Sequence, residues 1–231
     1  MSKFSALIGL FFCWMLLLTF ACSTSHNVQE RYDTPRAVKL TKNNTILLRG
    51  EINEQSMYLV SMATLYLNQQ LPPGVPIYLV LDTNGGYVTY FERYIQLSRA
   101  LNGREIKTIT IKSYSAGAFL VQNLGERLTT LNGSMMFHEM SMDYPRMQMR
   151  KHILPQVGAD LVFIESIEAP IARRLNLTLN EYKKAIEGDW YIDGGFNMIK
   201  SHVADRVVLL KCDEAVKAEI PECLALPTTN Q

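Results

Sequence analysis

Apolar and polar positions along the chain change period several times, and each change marks an element. A short apolar run at 45–48, closed by Arg49-Gly50, predicts a strand. From Asn53, a cap residue, Met57, Leu59, Val60, Ala63, Leu65 and Leu67 follow helical spacing until Pro72-Pro73-Gly74 stops them. The unbroken run Ile77-Tyr78-Leu79-Val80-Leu81 predicts a strand buried on both faces, as in a parallel sheet. Asp82 to Gly86 reads as a turn, and Val88, Phe91, Ile95 and Leu101 as a helix ended by Asn102-Gly103. Residues 106–111 alternate as a third strand, and a small, apolar stretch at 116–126 predicts a buried helix. Short strands at 128–131 and 134–137 flank an Asn132-Gly133 turn. Helices are expected at 155–174, kinked or shortened by Pro170, at 179–187 and at 194–202, with a last strand at 206–210. This β-α-β-α-β alternation predicts an α/β domain with mostly parallel strands.

The first residues follow another pattern. After Lys3, residues 6–21 carry no charge and are mostly apolar, and Cys22 follows Ala21. That is the layout of an export signal, 1–21, with Cys22 placed as in a bacterial lipoprotein, although Thr19 stands where leucine is usual. A plain cleaved signal and an uncleaved anchor are the alternatives. The lipoprotein reading puts the protein in the bacterial cell envelope, membrane-anchored and facing the periplasm, with 22–43 as a flexible tether, 44–211 as the domain and 212–231 as a tail. Cys212 and Cys223 either close a short disulfide loop in that oxidising compartment or stand as two thiols.

Composition narrows the partners. With 23 Lys and Arg against 22 Asp and Glu, net charge is +1, and no broad basic field suggests nucleic acid. No Gly-x-x-x-x-Gly-Lys run predicts a nucleotide site, and no cofactor or metal is expected.

Three spots carry candidate chemistry, each after a predicted strand. The Gly85-Gly86 pair allows close backbone approach and offers bare N–H groups to an oxyanion, or is an ordinary turn. Ser115 lies at a strand-to-helix junction before Ala116-Gly117-Ala118, where it is either a nucleophile or a helix cap. His138, one of four histidines, closes a strand and offers a base that titrates near neutral pH. Together they outline an oxyanion donor, a nucleophile and a base.

On these motifs the chain resembles the proteolytic subunit of the Clp protease. Leu79 to Gly86 is similar to that family's Asn-Ser-Pro-Gly-Gly strand and turn, with Asn84 in place of proline. Ser113 to Leu120 resembles its Ala-Ala-Ser-Met-Gly-Ala segment, with Tyr114 in place of alanine. Ser134 to Glu139 resembles its Ser-Arg-Val-Met-Ile-His-Gln segment. The resemblance spans about 45–208 and implies a ClpP/crotonase-like fold, a repeated β-α-β spiral. It implies a serine endopeptidase with Ser115 as nucleophile, His138 as base and Asp189 as third member, with Asp193 and then Asp143 next in line. Backbone N–H groups of Gly86 and Ala116 would form the oxyanion hole. A peptide or unfolded protein is the implied substrate, and a homo-oligomer, a ring in the family, the implied assembly. The family's usual partner is an ATP-driven unfoldase of the cytoplasm, and whether an exported chain, with no ATP at hand, has such a partner is left open; Tyr114 is expected to narrow or reshape the cleft. A non-catalytic peptide-binding or scaffold member, or an acyl-coenzyme A enzyme on the same architecture, are the alternatives.

Overall fold

The computed structural model describes residues 35–101, 103–141 and 150–225. The signal segment, the Cys22 lipidation site and Asp143 lie outside them. In chain order the elements are β1 (Arg36–Leu40), β2 (Thr45–Ile52), α1 (Glu54–Gln70), β3 (Ile77–Gly86), α2 (Val88–Arg99), β4 (Ile106–Tyr114), α3 (Ala116–Asn123), β5 (Arg127–Phe137), α4 (Arg150–Arg174), α5 (Leu179–Ile186), β6 (Trp190–Asp193), α6 (Gly195–Lys200), β7 (Arg206–Cys212), α7 (Glu214–Lys217) and β8 (Leu224–Ala225). The strands form one sheet ordered β1-β7-β5-β4-β3-β2, with β6 beside β5 and β8 beside β7. Every pairing is parallel except β5 with β6. This is the expected α/β fold with mostly parallel strands. No helix among the described residues is long and apolar enough to cross a membrane.

The sheet separates two apolar layers. On one side Leu79 and Leu81 of β3 pack with the helices, among them Phe91 of α2, Phe119 of α3 and Tyr182 of α5. On the other, Val80, Ile109 and Leu128, neighbours in register across β3, β4 and β5, join Leu40, Val208, Leu210 and Ile220. The uninterrupted run of β3 has this cause: odd and even positions meet different cores.

Several boundaries differ from expectation. Residues 36–40, placed in the tether, form β1 and pair with β7, so the domain starts earlier. Asp82 to Gly86 is not a turn but the end of β3. A register shift between Arg49 and Glu51, with Gly50 at φ +85°, lets β2 follow it, and Thr83 donates to the Gly50 carbonyl at 2.5 Å. Asn132-Gly133 likewise lies within a continuous β5. Between the paired residues Thr110–Thr129 and Lys112–Ser134, β5 carries extra residues as a bulge. Pro170 does not end α4, which runs to Arg174. Residues 212–225, placed in the tail, add α7 and β8, and a disulfide joins Cys212 to Cys223 with Cα atoms 5.6 Å apart.

Candidate active site

Strands β3, β4 and β5 lie side by side and run the same way, so their C-terminal ends meet at one edge. These ends carry Gly85-Gly86, Ser115 and His138. Tyr114 is paired with Met136, and the Ser115 N–H donates to the Met136 carbonyl at 2.9 Å. Ser115 and His138 therefore leave adjacent strands at the same level. His138 Nε2 and Ser115 Oγ are 2.8 Å apart, within hydrogen-bonding reach.

The cap reading of Ser115 does not hold. Ser115 precedes α3, yet its side chain makes no cap hydrogen bond, and its hydroxyl meets His138 instead. Its backbone is at φ 51°, ψ −121°, a conformation L-residues avoid at a cost of about 1–3 kcal/mol. The residue is pinned there by its N–H on Met136 and by its carbonyl, which accepts from Ala118 N at 2.9 Å and Phe119 N at 3.2 Å. Such a turn between strand and helix holds a hydroxyl up at the sheet edge, clear of the helix.

The glycine pair is crowded by the protein's own backbone. A Cβ on Gly85 would lie 2.7 Å from Ser115 Cβ and from the Tyr114 carbonyl oxygen, and one on Gly86 would lie 2.2 Å from the Ile52 carbonyl oxygen. Both glycines have positive φ, +98° and +148°. Gly85 thus sits against the serine turn, and Gly117 lets α3 approach Thr83, whose Cγ2 would be 2.6 Å from an added Cβ. Ala116 is the first residue of α3, so its N–H has no acceptor within its own helix. Of the two backbone groups named for the oxyanion hole, that of Ala116 directly follows Ser115, and Gly86 lines the same cleft as Ser115.

Beneath His138, Phe137 anchors the strand end against Phe119, Trp190 and Tyr182, with ring centroids 6.0, 5.5 and 6.2 Å away. Phe137 pairs with Trp190 as the last pair of the antiparallel β5–β6 ladder, and His138 and Asp189 are the chain neighbours of that pair. No hydrogen bond joins the two side chains among the described residues. Asp189 accepts from the Tyr191 hydroxyl at 3.5 Å. Desolvation, then the Asp189 charge, raises the Tyr191 phenol above its usual 10.0, which keeps it a donor. Asp193 is placed elsewhere: it pairs with Ser134 and accepts that hydroxyl, four residues before His138.

A cleft of about 730 Å³ opens over the pair. Gly86, Ser115 and His138 line it, with Val88, Phe119, Met140 and Phe163 as apolar wall and Glu51, Glu92 and Asp160 as acidic wall. Tyr114 does not line it; its hydroxyl is 2.9 Å from Ser134 Oγ and its ring stacks edge-on to Tyr191. Of the two effects expected of Tyr114, narrowing the cleft directly is not met, because as the last β4 residue it faces β6. Sequence reasoning missed the three carboxylates, since nothing local distinguishes Glu51, Glu92 or Asp160 from surface acids.

No family model matches the chain, and no curated protein matches it.

Proposed function

We propose that the protein is a serine endopeptidase acting through an acyl-enzyme on Ser115. The observation that carries this reading is the 2.8 Å approach of His138 Nε2 to Ser115 Oγ on a strained turn facing a cleft. The resemblance of three motifs to the Clp protease subunit adds to it.

In this reading Ser115 Oγ attacks the peptide carbonyl carbon while His138 Nε2 takes its proton. The carbonyl oxygen becomes an oxyanion and accepts from the Gly86 and Ala116 N–H groups. As the C–N bond breaks, His138 returns the proton to the leaving amine, and an acyl-Ser115 ester remains. Water, deprotonated by His138, repeats the sequence and frees the carboxylate product. Asp189 orients the imidazole once its carboxylate turns from Tyr191 to His138 Nδ1. Lipidation at Cys22 and an envelope location belong to the same reading and rest on residues 1–22 alone.

Labelling with a fluorophosphonate probe tests the reading. The wild type is expected to label, with Ser115→Ala silent and His138→Ala slowed by roughly 1000-fold or more. Asp189→Asn is expected to lose about 10- to 100-fold, less than a preformed triad member would lose. A folded wild type that does not label removes the active-peptidase reading and favours the non-catalytic binding protein.

A further inference from the structure

The described lining of the cleft has a sign that the whole chain lacks. Lys and Arg nearly balance Asp and Glu over the sequence, 23 against 22. Yet the cleft wall carries Glu51, Glu92 and Asp160, and among the described residues no lysine or arginine lines it. Among the described residues, two of these carboxylates have neutral hydrogen-bond partners. Glu51 Oε2 is 3.5 Å from Asn53 Nδ2, and Glu92 Oε1 accepts from Gln96 Nε2 at 3.3 Å. Neither enters a salt bridge among the described residues.

Their positions follow from the fold. Glu51 is paired with Gly85 in the β2–β3 ladder, so it stands beside the glycine pair. Glu92 lies one helical turn after Val88, on the stretch of α2 that faces the cleft. Phe119, Met140 and Phe163 line the same space. That combination fits a lysine or arginine side chain, whose apolar stem packs on aromatic and thioether surface while its charged head reaches a carboxylate.

We propose that the cleft selects cationic peptide segments, with Lys or Arg close to the bond presented to Ser115, and that Glu51 and Glu92 are the specificity-determining residues. The substrate class rests on the peptidase reading; the charge preference of the cleft does not.

Two measurements separate them. The first compares cleavage of peptides that differ only in Lys or Arg against Gln or Glu near the scissile bond. Wild type is expected to favour the basic peptides by about tenfold in kcat/KM at low salt, with the ratio falling severalfold in Glu51→Gln and in Glu92→Gln and on adding salt. Equal cleavage, or preference for acidic peptides, overturns the inference and leaves the peptidase reading intact. The second uses Ser115→Ala and fluorescence anisotropy with a Lys-rich and a Glu-rich labelled peptide. Tighter binding of the Lys-rich peptide, weakened in the Glu51→Gln and Glu92→Gln backgrounds, supports the cleft preference even where the wild type fails to label with fluorophosphonate. Equal binding of both peptides overturns it.

Discussion

Gly86 and Ser115 show how single residues are held by what surrounds them. Gly86 combines φ +148° with a Cβ position 2.2 Å from the Ile52 carbonyl oxygen, so an alanine there meets both strain and backbone. Gly86→Ala is expected to cost about 3 kcal/mol of stability in urea unfolding and to abolish probe labelling. Gly50→Ala isolates the strain: Gly50 also has positive φ, +85°, but nothing lies within 4 Å of its Cβ position. It is expected to cost about 1 kcal/mol and to leave labelling in place. The glycine pair was legible as a place of close approach. Its neighbours were not, because the Ile52 backbone that crowds Gly86 belongs to another strand.

At the scale of elements, the starts of β5 and β7 are clamped by one ionic network. Arg127 donates to Asp205 from Nε at 3.1 Å and from Nη2 at 2.5 Å, and to Gln122 and the His202 carbonyl from Nη1. The Arg127 N–H also donates to Asp205 Oδ2 at 2.9 Å. Arg174, near the end of α4, donates to the carbonyls of Gln122 and Leu124 and pairs with Asp205 at 3.7 Å. Burial opposes the Asp205 charge, but the Arg127 bonds and the charges of Arg127 and Arg174 outweigh it and hold the carboxyl below its usual 3.8. A depressed acid stabilises the fold above its unfolded value, and this contribution is lost as pH falls through the lower folded value. Asp205→Asn is therefore expected to be less stable than wild type by about 2 kcal/mol at neutral pH, less than the loss of a fully buried partner because a third of Asp205 is exposed. Chemical denaturation across pH should show a constant gap near neutrality that closes below pH 3.8. The capping box of α1 was half legible, since Asn53 reads as a cap from sequence alone. It accepts from Ser56 N at 3.0 Å, and Ser56 Oγ accepts from Asn53 N at 3.0 Å. Arg127 gave no such signal, because its partners lie up to 78 residues away.

Across the whole molecule, the sheet's β1 edge depends on chain ends. β1 pairs with β7 from Arg36–Val208 to Leu40–Cys212, and the Cys212–Cys223 disulfide fixes the following segment to β7. Closing so short a loop removes unfolded-state freedom worth about 3 kcal/mol in the chain-entropy view. The double variant Cys212→Ser, Cys223→Ser is expected to unfold at correspondingly lower urea. Its hydrogen exchange should rise first in β1 and β7. The Ser115–His138 pair follows the C-terminal ends of β4 and β5, whereas β7 pairs with β5 only near its start, at Leu128 and Thr129, so probe labelling should persist below the unfolding transition.

What the sequence by itself determined is the set of local, periodic signals: the two-sided burial of β3, the α1 cap, the α/β alternation and the three motifs at the ends of their strands. Each of these is written in neighbours a few residues apart, where period and propensity act. Tertiary structure alone decided the rest. Thirty-six to 40 became a strand because β7 offered an unpaired edge; Asp82 to Gly86 stayed extended because β2 bulged to follow it. The serine hydroxyl turned to His138 rather than to its own helix because parallel pairing brought the ends of β4 and β5 together. The acidic wall of the cleft likewise exists only once β2, α2 and α4 converge, since charge at a site is a sum over residues distant in the chain.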